Sequence, residues 1–231
     1  MSAPLNGPQI EASRGRAGSL VVFLHGYGAD GNDLIEIGRQ WRALLPDAAF
    51  ASPHAPERCL ASPTGRQWFQ LSNRPPTDPE GATERWNGVV AARGSIDAFL
   101  DAELARHGLD ESKLALVGFS QGSMMAMHVG LRRRLAPAAI VGYSGMLVGD
   151  DKLSDATARD ARGAPPPVLL IHGDQDPLIP IEAMFLAAEA LAGDGIPAQW
   201  HISFGVGHGI DGGGLHHGGQ FVARALGGAR R

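Results

Sequence analysis

The chain alternates short apolar runs with longer stretches in which apolar residues recur every three or four positions. Residues 19–25 (SLVVFLH), 48–52, 113–119 (KLALVGF), 138–143, 168–172 (VLLIH) and 198–204 are of the first kind. A continuous apolar run bounded by Gly or Pro fits a strand covered on both faces. Residues 33–45, 83–107, 121–135, 181–192 and 214–226 are of the second kind and predict helices, several of them ended by Pro46, Gly108, Pro137 or Gly193. In the longest, Val89, Val90, Ile96, Phe99, Leu100 and Leu104 follow helical spacing. Strands separated by helices predict an α/β fold, a mostly parallel sheet with helices on both faces. Ligands in such sheets lie beyond the carboxyl ends of strands, so the residues just past each run are the ones to examine. Two segments break the alternation. Residues 54–80, rich in Pro, Ser and Gly, predict an ordered surface excursion holding Trp68 and Phe69, and residues 147–164 a variable polar loop. With no internal repeat and no long linker, residues 1–231 read as one α/β domain, with 1–18 an N-terminal segment offering a short edge strand.

Composition narrows the class. At 44% hydrophobic and 19% charged the chain is globular rather than disordered. A formal net charge of -4 and no long basic run argue against nucleic acid as a partner, since phosphate binding needs clustered Lys and Arg. The one basic cluster, Arg132, Arg133 and Arg134, is expected to close a helix, where cations suit the dipole. The lone Cys59 excludes an intramolecular disulfide and suits a reducing, cytoplasmic setting; it has no helix start or elbow to make it a nucleophile. No apolar run spans a bilayer, so no stable membrane insertion is expected, and the polar first 19 residues lack the apolar stretch of a signal peptide.

The sharpest chemical signal is Gly118-Phe119-Ser120-Gln121-Gly122, a G-x-S-x-G pattern between a predicted strand and a predicted helix. Such a turn is strained, and its glycines let backbone crowd it, lifting the serine hydroxyl above the sheet. The backbone N–H of Gln121 would face a developing oxyanion. A second donor is expected from the loop after an early strand, here the N–H of Tyr27, whose side chain would point to the entrance. An unassisted serine is a poor nucleophile, so a base and an orienting acid must follow it in the order Ser, acid, His. After the strand 168–172 come Asp174 and Asp176; Asp176 is preferred, because Asp174 suits a turn residue accepting backbone N–H bonds. Five of the nine histidines precede the acid. Of the rest, His201 lies within the last strand and His216 and His217 on a helix, which leaves His208, in a glycine-rich loop, as the base.

Two other readings compete. Gly26-Tyr27-Gly28-Ala29-Asp30-Gly31 fits G-x-G-x-x-G after a strand, the dinucleotide fingerprint, but the next strand ends in Ser52-Pro53 where a ribose-binding acid is wanted, and Asp30 would face a pyrophosphate. A hydrolase fold that only binds partners would be signalled by a missing triad member. A zinc hydrolase has no H-E-x-x-H and no Cys pair to rest on.

Together the loop Phe23 to Gly31, the pair Trp68-Phe69, the GFSQG elbow, Tyr143-Ser144-Gly145, His172-Gly173-Asp174-Gln175-Asp176-Pro177 and Gly207-His208-Gly209 resemble the carboxylesterase, lysophospholipase and acyl-protein thioesterase-like family of α/β-hydrolases, in order over most of the chain. The resemblance implies an α/β-hydrolase fold without a large lid domain. It matches Ser120, Asp176 and His208 to the triad and Tyr27 and Gln121 to the oxyanion positions. It implies hydrolysis of carboxylic esters with short or medium acyl chains, or of lysophospholipids or acyl thioesters, without cofactor or metal. The partner is then a small-molecule ester, and the protein a monomer or homodimer. Relatives often have Leu where Tyr27 stands, which leaves the backbone donor intact and alters the acyl pocket. Trp68, Phe69, Met146, Leu178 and Ile179, apolar and near strand ends, are candidate pocket residues. Trp68 and Phe69 serve equally to brace the first loop, and Leu178 and Ile179 to pack the core.

Overall fold

The computed structural model describes residues 4–72, 74–75 and 77–227. Nine strands are found among them: β1 (Gln9–Ile10), β2 (Ser19–Leu24), β3 (Ala48–Ala51), β4 (Glu57–Arg58), β5 (Arg66–Gln67), β6 (Leu114–Phe119), β7 (Ala139–Tyr143), β8 (Val168–Gly173) and β9 (Ala198–Ser203). The α-helices are α1 (Gly31–Trp41), α2 (Pro79–His107), α3 (Gln121–Gly130), α4 (Glu182–Gly193) and α5 (Gly212–Ala225). The main sheet runs β1-β3-β2-β6-β7-β8-β9, and β4 and β5 make a separate hairpin. Every pairing in the main sheet is parallel except β1 on β3, where Gln9 faces Ala51 and Ile10 faces Phe50.

The period-2 geometry of each strand divides its apolar residues between two cores. Leu20, Val22 and Leu24 of β2, Leu114 and Leu116 of β6 and Leu170 of β8 face α2, α3 and α4. Val21 and Phe23, Ala115 and Val117, and Leu169 and Ile171 face α1 and α5. Each fully buried Leu, Val or Phe among them stabilises by about 1.5–3 kcal/mol relative to exposure, so the inner strands cannot slip register without turning a whole set to the wrong layer.

Caps move the helix starts. Asp30 accepts the N–H of Asn32 and begins α1 two residues before the apolar periodicity does. Asp78, with Pro79 behind it, starts α2 a turn earlier than expected. The helix expected over 121–135 ends at Gly130, where a side chain would collide with Ile140. Arg132 and Arg133, just beyond, do not simply close it. Both are buried: Arg133 pairs with Asp97 and Asp101 of α2 and lies 3.5 Å from Glu111, and Arg132 donates to the carbonyl of Lys152. The expected polar loop 147–164 is corrected as well, since Leu147, Val148, Leu153, Ala156 and Ala158 are buried and Asp150–Asp155 forms a 3-10 helix. Trp68 and Phe69 do not sit on a surface excursion; both are in the core.

Candidate active site

The strand ends converge on residue 120. Ser120 follows β6 with φ 53° and ψ -117°, and its N–H donates to the carbonyl of Tyr143 at 2.9 Å. Backbone crowding forces the flanking glycines. A Cβ on Gly118 would come 2.1 Å from the carbonyl oxygen of Gly122, and one on Gly122 would come 1.8 Å from that of Leu24. Gln121 opens α3, and N–H groups in a helix's first turn have no intrahelical acceptor.

His208 lies between two partners. Its Nε2 is 2.9 Å from Ser120 Oγ, and its Nδ1 is 2.7 Å from Asp176 Oδ2. An ionised carboxylate only accepts, so Nδ1 carries the proton and Nε2 is left to accept from the serine. The ring tilts against Phe119, with centroids 5.0 Å apart. The other oxygen of Asp176 accepts the N–H groups of Leu178 and Ile179 at 2.9 and 3.0 Å. Burial opposes ionisation of this carboxyl; the Ile179 N–H, the His208 ring and the Leu178 N–H outweigh it and hold Asp176 below the usual carboxylate range. Asp174 is exposed, and its Oδ1 accepts the N–H of Gly205 at 2.6 Å.

The first loop is braced from beneath by His25, Trp68 and Gln121. The ring of His25 is fully buried, with Nδ1 donating to the carbonyl of Gly26 at 2.8 Å and Nε2 accepting from Ala55 N–H at 3.0 Å. Burial pushes its pKa down to about 4, which keeps that tautomer neutral. The indole of Trp68 donates to the carbonyl of His25 at 2.9 Å. The carboxamide of Gln121 accepts from Trp68 N–H and donates to the carbonyl of Phe69 at 2.7 Å. Trp68 and Phe69 therefore make the bracing contacts, one of the two roles weighed for them. The Tyr27 hydroxyl accepts from Gln70 Nε2 at 3.0 Å.

A cleft of about 250 Å³ is lined by Met146, Leu147, Val148, Pro180, Ala183 and Leu186, with Arg85 and Glu182 also at its wall. Met146 is two residues past Ser144 and Pro180 four past Asp176. The cleft is thus walled by residues that follow β7, whose Tyr143 carbonyl accepts the Ser120 N–H, and by residues that follow the Asp176 turn. Leu178 and Ile179 do not line it. Leu178 projects into solvent and Ile179 packs in the core, because the turn that gives both N–H groups to Asp176 points their side chains apart.

Some residues around the site are not reached by motif reasoning. His172 precedes the acid and so fails the chain-order test for a base. Its Nε2 donates to the carbonyl of Ile179 at 2.8 Å and lies 3.3 Å from Asp176 Oδ2, bracing the acid's turn. His25 fails the same test, although its place in the first loop is the signal for its supporting contacts. The dinucleotide reading loses its ground here. Asp30 already occupies the N-terminus of α1, and the N–H of Gly31 is taken by His54 at 3.1 Å, so the donors a pyrophosphate needs are spent. Among the described residues no group of three His, Cys, Asp or Glu side chains is arranged to hold a metal ion, and no helix is long and apolar enough to cross a membrane.

A parallel sheet layered by helices, a serine on a strand-to-helix elbow and a histidine joined to a carboxylate define the α/β-hydrolases. Residues 5–225 match the family described as Phospholipase/Carboxylesterase, and the chain belongs to it. That places the protein among the carboxylic ester hydrolases. Similar proteins include acyl-protein thioesterase 1 of Gibberella zeae, 26% identical over 90% of this chain and 91% of that one. Acyl-protein thioesterase 1 of Schizosaccharomyces pombe is 29% identical over 78% of each. The crystal structure of esterase PE8 superposes with a TM-score of 0.89 at 42% identity, over 97% of this chain and all 100% of the other.

Proposed function

We propose that the protein hydrolyses carboxylic esters through an acyl-enzyme, with Ser120 as nucleophile, His208 as base and Asp176 as the acid that orients it. The observation that carries this reading is the pair of bonds at His208, 2.9 Å to the serine hydroxyl and 2.7 Å to the carboxylate. His208 takes the Ser120 proton as Oγ bonds to the ester carbonyl carbon. The oxyanion is held by the N–H groups of Tyr27 and Gln121. The tetrahedral adduct collapses, the C–O bond to the alcohol breaks, and His208 returns the proton to the leaving oxygen. Water then gives a proton to His208 as its oxygen bonds to the acyl carbon; the bond from that carbon to Oγ breaks, His208 returns the proton to Ser120 Oγ, and the carboxylic acid leaves. Asp176 stays ionised throughout and steadies the imidazolium.

The Met146 cleft, about 250 Å³ and largely apolar, suits a short or medium acyl chain. The similarity to two fungal acyl-protein thioesterases adds acyl thioesters to the classes worth testing, and the phospholipase half of the family description keeps phospholipid esters, lysophospholipids included, among them. In this reading residues 1–231 work as one domain, in the cytoplasm, where the buried Cys59 stays reduced. The test is turnover of p-nitrophenyl butyrate by Ser120→Ala and His208→Ala. Each should lose on the order of 10⁴-fold or more in kcat while the unfolding transition is kept. Wild-type turnover in either would reject the assignment.

A further inference from the structure

We infer that Ser144 is a positioning residue that sets the place of His208 by holding the carbonyl of Gly209; the inference rests on the Ser120–His208–Asp176 reading. Among the described residues a left-handed backbone falls to glycine everywhere except at Ser120, with φ 53°, and Ser144, with φ 45°. The two sit alike. β6 and β7 are paired at Phe119 and Tyr143, and each serine is the first residue past its strand. The N–H of Ser120 donates to Tyr143, and that of Ser144 donates to Ile171 at 2.8 Å, so sheet bonding carries both backbones into the strained region.

A non-glycine residue held there costs on the order of 1–3 kcal/mol, and a glycine would avoid most of that. At Ser120 the strain is the condition for exposing a nucleophile. At Ser144 nothing is exposed: the residue is fully buried. Its hydroxyl donates to the carbonyl of Gly209, 3.1 Å away, on the residue next to His208. The stretch carrying the imidazole is Phe204-Gly205-Val206-Gly207-His208-Gly209-Ile210, and its three glycines give it little conformational preference of its own. On the side before His208 it is fixed by Gly205 N–H to Asp174 and by Gln175 N–H to the carbonyl of Val206 at 3.0 Å. At its base Ser203 Oγ donates to Asp211 Oδ1 at 2.5 Å. Ser144 supplies the tie after His208, from the strand that also receives the nucleophile's N–H. It thereby references the base and the nucleophile to one structural element.

The hydroxyl and the strain are separable by substitution. Ser144→Gly removes the hydroxyl and relieves the backbone, whereas Ser144→Ala removes the hydroxyl and keeps the strain. Both should lower kcat for p-nitrophenyl butyrate on the order of 10- to 100-fold, the scale of a small misplacement of a catalytic group, with KM within about twofold of wild type. The rate of fluorophosphonate inactivation should fall in parallel. Ser144→Gly should have a Tm equal to or above that of wild type, which a purely structural role cannot reconcile with lost turnover. Wild-type kcat in Ser144→Gly, a loss confined to KM, or activity that tracks Tm across the two variants would overturn the inference. His208→Ala is measured alongside. If it is inactive while Ser144→Gly is not, this inference alone fails; if His208→Ala keeps wild-type turnover, the triad reading and this inference fall together.

Discussion

Gln121 accepts the backbone N–H of Trp68 at 3.0 Å, although the two residues are 53 apart in the chain. The same carboxamide donates to the carbonyl of Phe69, so one buried side chain ties the segment after β5 to the start of α3. Replacing it by Ala strands two buried backbone groups, each at a cost of about 1–3 kcal/mol. Urea unfolding of Gln121→Ala should therefore show a stability loss of roughly 2–6 kcal/mol. A change under about 0.5 kcal/mol, the range of an ordinary surface substitution, would deny the carboxamide this role.

The two aspartates after β8 should separate sharply. Asp176 reaches His208, whereas Asp174 reaches only the N–H of Gly205. Asp176→Asn should lower kcat on the order of 10⁴-fold, as loss of the tautomer-fixing acid does elsewhere, and Asp174→Asn by about tenfold or less. A severe defect confined to Asp174→Asn would reverse the assignment. The folded pKa of Asp176 lies below its unfolded value, so its ionised form stabilises the fold above the unfolded value near ~3.9. That contribution disappears as pH falls through the folded value. The stability gap between wild type and Asp176→Asn should thus close on acidification in a series of urea titrations.

His25 has linkage of the same sign, in a higher pH window. Its folded pKa of about 4 lies below the unfolded value near ~6.5. As pH falls through that window the unfolded chain binds a proton that the folded one refuses, so stability declines and then levels off below it. His128, pushed down to about 3 by burial and then by Arg132 and Arg93, acts in the same direction. His25→Asn should flatten part of the stability slope between these pH values and leave the part due to His128. An unchanged slope would mean that His25 takes up its proton in the folded state.

The Met146 cleft should be read out by chain length. A buried methylene contributes about 0.8 kcal/mol, close to fourfold in kcat/KM. Activity on p-nitrophenyl esters should climb by up to that factor per methylene from acetate toward hexanoate. Ala183→Trp, which fills the cleft from α4, should abolish the climb and spare acetate. Equal loss on acetate would show that the substitution damages more than the acyl site.

Much of the fold is legible in the sequence alone. The inner strands are legible because double burial demands unbroken apolar runs, and the elbow because its glycines are forced by backbone contacts. Asp176 and His208 follow from chain order and from their position past strand ends. What stays hidden depends on partners far away in sequence. Arg132, Arg133 and Arg134 read as a helix-closing cluster, since nothing local announces Asp97, Asp101 or Glu111 across the fold from Arg133. Leu178 and Ile179 look equivalent, because only the turn around Asp176 decides which side chain faces the core. The two-residue strands β4 and β5 are too short for any periodicity. At Ser144 the signal is a backbone angle, which no residue pattern encodes; the sequence shows only a serine between Tyr143 and Gly145.

The most direct measurement is covalent labelling with a fluorophosphonate followed by peptide mapping. One adduct per chain is expected, on Ser120, absent in Ser120→Ala and formed far more slowly in His208→Ala. An adduct on any other residue, or undiminished labelling of Ser120→Ala, would contradict the account.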